Sequence, residues 1–146
     1  GLKRILKLCE CLILIDQSEN VEILSTYTIQ HKNAKEKERI DKIIQFTIDS
    51  FQKQIALSDV ANIINTSVSA FCRYFRKSTK KTYITFLNEV RVGHACKLLI
   101  NTKISIITIC YESGFGTIAN FNKQFSNIKH MTPSQYRKEF EDKNLN

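Results

Sequence analysis

Apolar residues recur along this chain at three- and four-residue intervals rather than alternating, a spacing that predicts helices from end to end. Leu2, Ile5, Leu6, Cys9, Leu12 and Ile13 form a stripe with Lys3, Arg4, Lys7 and Glu10 between them. That stripe predicts an amphipathic helix over 1–16, which needs cover from the rest of the chain or from a second copy of itself. Residues 17–35 are polar and aperiodic apart from Val21, Ile23, Leu24 and Tyr27, and read as a linker. The folded body is expected over 36–146. Ile40, Ile43, Ile44, Thr47 and Ile48 share one helix face. Ser58 is expected to cap a short helix carrying Val60, Ala61, Ile63 and Ile64, and Ser67 the next, carrying Phe71, Tyr74 and Phe75. A long helix is predicted from about Thr82 to Leu99. Ser105 then opens a short helix and Thr117 a longer one with Phe121 and Phe125. Thr132-Pro133 opens the last, where proline at the first turn costs no donor.

Within the body the pattern repeats after about 50 residues. Leu57-x-x-Val60-Ala61 matches Ile106-x-x-Ile109-Cys110, and Phe71-x-Arg73-x-Phe75 matches Phe121-x-Lys123-x-Phe125. Thr82 and Phe86 match Thr132 and Tyr136. The register slips by one residue in the turn, which is Asn65-Thr66-Ser67 in one copy and Gly114-Phe115-Gly116 in the other. Each copy has the form of a helix-turn-helix. A small residue (Ala61 or Cys110) lets two helices cross closely, and the second helix buries its aromatic face and turns the other outward. Such a helix fits a major groove about 12 Å wide. A tandem helical hairpin used only for packing would show part of this pattern. The linker helix of roughly 18 residues spans about 27 Å, which would set two outward helices near one duplex turn apart.

Composition narrows the picture. One proline and four glycines do not suit a turn-rich all-β chain. No apolar run reaches the roughly 18–20 residues of a membrane span, and the N-terminal stripe is interrupted by charges with no cleavage site after it. Five scattered cysteines, an odd number, fit reduced thiols in a cytoplasm better than a disulfide framework. The net charge is +8. Residues up to Lys35 hold five basic and four acidic side chains, a net of +1, which leaves +7 (8 − 1) on the remainder. A basic helical body points to a polyanionic partner, duplex DNA before a membrane surface.

The sequences Glu112-Ser113-Gly114-Phe115-Gly116, Phe121-Asn122-Lys123-Gln124-Phe125 and Met131-Thr132-Pro133-Ser134-Gln135-Tyr136-Arg137 together make a specific pattern. With it the body, from about Arg39 to Phe140, resembles the AraC/XylS family of bacterial transcription regulators. Arg91 and Lys97-Leu98-Leu99 resemble that family's linker helix. The resemblance implies an all-α fold of two helix-turn-helix subdomains joined by a long linker helix, with an extra N-terminal amphipathic helix. It implies double-stranded DNA as partner, RNA polymerase as a further candidate partner, and a homodimer through Leu2–Ile15. It also implies that a sensory domain would precede this chain, which is then the C-terminal part of a longer protein. Activation or repression stays open.

The family places DNA contacts on the outward face of both second helices. In the first copy those positions are Ser69, Cys72, Arg73 and Arg76, with Lys77 toward phosphates. Arg73 is the best candidate for a base, because arginine can pair with guanine O6 and N7. Cys72 departs from the family, since a thiol reads bases poorly. In the second copy the positions are Ile118, Ala119, Asn122 and Lys123, with Asn120 or Asn122 able to address adenine. Ile118 and Ala119 offer only apolar contact with thymine methyls, so weaker and more A·T-tolerant selection is expected there. Ser67 and Thr117 begin helices whose free N–H groups suit phosphates. An enzyme is not expected. His31, His94 and His130 are far apart, Cys9-x-Cys11 has no matching pair for zinc, and no phosphate loop is present; no cofactor is expected. A protein-interaction module, carried by Leu2–Ile15, is compatible with DNA binding.

Overall fold

The computed structural model describes residues 34–144. The amphipathic helix expected over 1–16, the self-association assigned to Leu2–Ile15 and most of the expected linker lie outside the described residues. Among those described, seven helices follow one another without strands: α1 (Ala34–Ser50), α2 (Leu57–Ile63), α3 (Val68–Thr79), α4 (Tyr83–Asn101), α5 (Ile106–Glu112), α6 (Ile118–Lys129) and α7 (Pro133–Asn144). The body thus begins as helix at Ala34, two residues inside the stretch that reads as linker, because Lys35 and Glu36 already lie on its first turn.

Hydroxyl caps set most of the boundaries. Ser67, Thr82, Ser105, Thr117 and Thr132 each accept from the backbone N–H three residues on, at 3.0–3.3 Å. Helix α2 is the exception, and the expected cap at Ser58 is corrected. The helix begins two residues earlier than that cap implies, at Leu57, with Ala56 in the cap position. The Asp59 carboxylate accepts from the Ala56 N–H at 3.3 Å, which closes the first turn without a side-chain cap. Ser58 Oγ is turned to Asp59 Oδ1, 3.4 Å away.

Two cores form, one per unit. The first gathers Ile40 and Ile43 of α1, Val60 and Ala61 of α2, Phe71 and Phe75 of α3, and Tyr83, Phe86 and Leu87 of α4. The second gathers Val92, Ala95, Cys96 and Leu99 of α4 with Ile109, Cys110, Phe115, Phe121 and Phe125. Helix α4 therefore serves the first core with its N-terminal half and the second with its C-terminal half. Burying a phenylalanine contributes about 1.5–3 kcal/mol. The four aromatic anchors of α3 and α6, all fully buried, are thus large terms for each small unit.

Each unit is closed by its outer helix. In the first, Thr47 and Tyr83 share a buried hydrogen bond of 2.9 Å, and Tyr74 OH donates to Glu36 O at 2.9 Å. In the second, the Arg137 guanidinium donates to Ile104 O at 2.7 Å, which ties α7 to the α4–α5 connection. Tyr136 packs edge-on against Phe125. Its phenol is pushed up to about 12, first by burial and then by its hydrogen bond with Cys96, so it stays neutral. The Thr-Pro-x-x-Tyr-Arg ending is therefore a packing device of this unit.

Candidate nucleic-acid interface

Helix α3 buries Phe71 and Phe75 and leaves Ser69, Cys72, Arg73 and Arg76 exposed on the opposite side. These four stand at i, i+3, i+4 and i+7, so they form one stripe. Lys77 is exposed at its flank and Ser67 at its start. None of Arg73, Arg76 and Lys77 is paired with a carboxylate among the described residues, where the ion pairs are Lys42–Glu38, Lys81–Glu89 and Lys103–Glu141. Three cations left in water on one helix cost little and remain available to phosphates or base edges.

A cleft of about 240 Å³ opens beside this stripe. Leu57, Tyr83 and Ile84 line it together with Cys72, Arg73, Arg76 and Thr82. Ile84 is unusually exposed for its size. The sequence did not mark Leu57 or Ile84 as neighbours of the arginines, because they sit on other helices and only the crossing of α2, α3 and α4 brings them there.

Helix α6 repeats the frame with different chemistry. Phe121 and Phe125 are buried, and Ala119, Asn122 and Lys123 form the exposed stripe. Lys123 has no carboxylate partner among the described residues. Two expected contacts are placed less favourably. Ile118 is half-buried and packs against the second core, so less of it faces outward than of Ala119. Asn120 is exposed but lies off the stripe, and its Oδ1 accepts from Gln124 Nε2 at 3.3 Å. Asn122 is the asparagine on the outward face. Thr117 is exposed at the helix start, where its Oγ1 holds the Asn120 N–H at 3.2 Å.

The turns that aim these helices differ. In the first, Asn65 takes a positive φ of 51°, and Thr66 N donates to Ala61 O at 3.1 Å. In the second, Gly114 takes φ 83°, and Phe115 N donates to Cys110 O at 3.1 Å. A Cβ on Gly114 would overlap Phe51 O and lie 2.9 Å from Gln52 Cα and 3.0 Å from Arg91 Nε. Glycine is thus required there by conformation and by space. Both outward helices end alike: Lys80 (φ 61°) and His130 (φ 59°) adopt the left-handed conformation, and their N–H groups donate to Arg76 O and Ser126 O.

Comparison with known proteins agrees with this geometry. A family model described as a helix-turn-helix domain matches residues 60–139. The chain is 28% identical over 114 residues to the Msm operon regulatory protein of Streptococcus mutans, a match covering 78% of this chain and 41% of that protein. It therefore spans less than half the length of that relative. Among solved structures it is similar to the DNA-binding domain of AdpA in complex with a target DNA (TM-score 0.68, 20% identity, 72% of this chain and 95% of that one). It is also similar to an AraC-type transcriptional regulator from Chromobacterium violaceum (TM-score 0.67, 21% identity, 74% and 96%). No helix among the described residues is long and apolar enough to cross a membrane.

Proposed function

The chain belongs to the AraC-type helix-turn-helix family, and from that membership we propose that it binds duplex DNA sequence-specifically through α3 and α6 in successive major grooves. It would regulate transcription in a bacterium by occupying its site rather than by catalysing a reaction. The observation that carries this reading is the pair of outward stripes, Ser69-Cys72-Arg73-Arg76 and Ala119-Asn122-Lys123, each opposite a fully buried pair of phenylalanines. The two units divide the work unequally. Arg73 addresses a guanine edge, while Arg76 and Lys77 hold phosphates. In α6, Ala119 and Ile118 offer apolar contact to thymine methyls, Asn122 addresses adenine, and Asn120 is held aside by Gln124. Ser67 and Thr117 present helix N-termini to the backbone. A cytoplasmic location, pairing of two copies through Leu2–Ile15 and contact with RNA polymerase belong to the same proposal, supported by the free thiols, the N-terminal apolar stripe and the regulator class.

Titration of Arg73→Ala on a selected site and on random duplex tests the reading. The expected loss on the selected site is about 1–3 kcal/mol, with a much smaller loss on random DNA. Lys123→Ala should weaken both similarly if it serves the backbone. Equal losses for Arg73→Ala on both duplexes would remove its base-reading role. Affinity that ignores salt would count against duplex binding altogether.

A further inference from the structure

The two units meet at a small, well-defined seam. On one side is the α1–α2 connection, Phe51 to Lys53. On the other is the end of α5 and its turn, Glu112 to Phe115. Gln52 Nε2 donates across the seam to Glu112 O at 2.9 Å. Gly114 packs its bare Cα against the Phe51 carbonyl. The Phe51 ring lies 5.0 Å from the ring of His94, whose Nδ1 is 3.3 Å from the buried Ser113 Oγ.

Arg91 of α4 stands in the middle and touches both sides. Its Nε donates to Phe51 O at 2.8 Å and its Nη2 to Lys53 O at 2.9 Å. The same guanidinium lies over the Phe115 ring, 5.8 Å from its centroid. It is only 8% exposed, and it forms no ion pair with a carboxylate among the described residues. A buried charge satisfied by carbonyl dipoles and a ring face is costly to place. A leucine would fill a core more cheaply, but it could not fork to two carbonyls of one unit while resting on a ring of the other.

We propose that Arg91 is a positioning residue that fixes the orientation of α6 relative to α3, and thereby sets the interval between half-sites that the protein accepts. This rests on the reading of α3 and α6 as the two DNA-contacting helices. Arg91 itself lies at the seam, not on either outward stripe, so its effect reaches DNA only through the relation of the units. If it merely tied down the 51–53 turn, its loss would loosen the first unit and leave the relation between units unchanged.

Two measurements on the whole chain separate these cases. Backbone residual dipolar couplings read the relation without DNA. In the parent protein, couplings from 57–87 and 92–140 should fit one alignment tensor. In Arg91→Met they should need two, with each unit's own fit intact. A single tensor for Arg91→Met, or two tensors in the parent, overturns the proposal whether or not DNA binds. The second measurement uses duplexes recovered from a random pool by the parent protein, with the half-sites moved apart or together by two base pairs, a turn of about 70°. The parent should lose about tenfold in affinity or more, and Arg91→Met less than about threefold. Identical interval profiles overturn the proposal. Should Arg91→Met fail to fold, Arg91→Lys, which reaches one carbonyl at a time, and Gln52→Ala open the seam more gently. Both should flatten the profile in part, and a profile unchanged in both would again overturn the proposal.

Discussion

The residues that define this protein's pattern divide into those that build the fold and those left on the outward faces of α3 and α6. Gly114, Phe115, Tyr136 and Arg137 are among the most diagnostic in the sequence, yet each is spent on packing or turn geometry. Gly114 is the sharpest case. An alanine there meets both a left-handed backbone and the Phe51 carbonyl, and the second effect dominates, because the conformational cost alone is about 1 kcal/mol. Gly114→Ala is expected to destabilise the chain by about 2–4 kcal/mol in denaturant titration. A loss under about 1 kcal/mol would mean that the seam yields easily. The buried aromatics were legible from spacing, since Phe71 and Phe75 in one copy and Phe121 and Phe125 in the other fall on one face of a helix, among apolar residues spaced by three and four rather than alternating. Lys80 and His130 were not, because nothing in a lysine or histidine announces a positive φ. Arg91 was visible as part of a linker-helix pattern, but its partners come from a turn some forty residues earlier, which no local spacing reveals.

At the scale of elements, the hydroxyl caps explain why five helices start where the sequence says they should. The miss at α2 has a simple cause: the acceptor came from Asp59 inside the helix rather than from a serine before it. The caps of α3 and α6 stabilise their helices, and in the proposed reading they also present the helix starts to DNA. Substitution separates them. Ser67→Ala should lower stability by about 1 kcal/mol, the usual worth of such a cap. Ser67→Asp preserves the cap and should keep stability within about 0.5 kcal/mol, but it adds a negative charge where a phosphate is expected. Its affinity for duplex DNA at low salt should therefore fall while its melting temperature holds. An aspartate variant that binds DNA as well as the parent would place Ser67 away from the backbone. The one-residue slip between the copies is also an element-scale fact. It makes the second turn one residue longer, with the extra residue between Gly114 and the start of α6, while Gly114 and Asn65 keep the same offset from the helix before them and the same positive φ.

Over the whole molecule, two small cores share one long helix, and neither unit encloses much on its own. The repeat in the sequence foretold the two units and the helix between them. It could not foretell the seam, because the turn of the second copy there meets the α1–α2 connection, which lies outside the repeated positions. The same comparison shows the units to be unequal. The first carries three exposed cations on or beside its outward stripe, the second only Lys123 with asparagine and alanine. A duplex bound by both should therefore show one strongly specified half-site and one weaker, A·T-tolerant one. Selection of bound sites from random duplex DNA by the intact chain tests this most directly. The expected result is two elements on one face of the duplex, centred about 10–10.5 base pairs apart, with a guanine specified in the stronger one. Recovery of a single short element, or of two elements with no fixed interval, would contradict it.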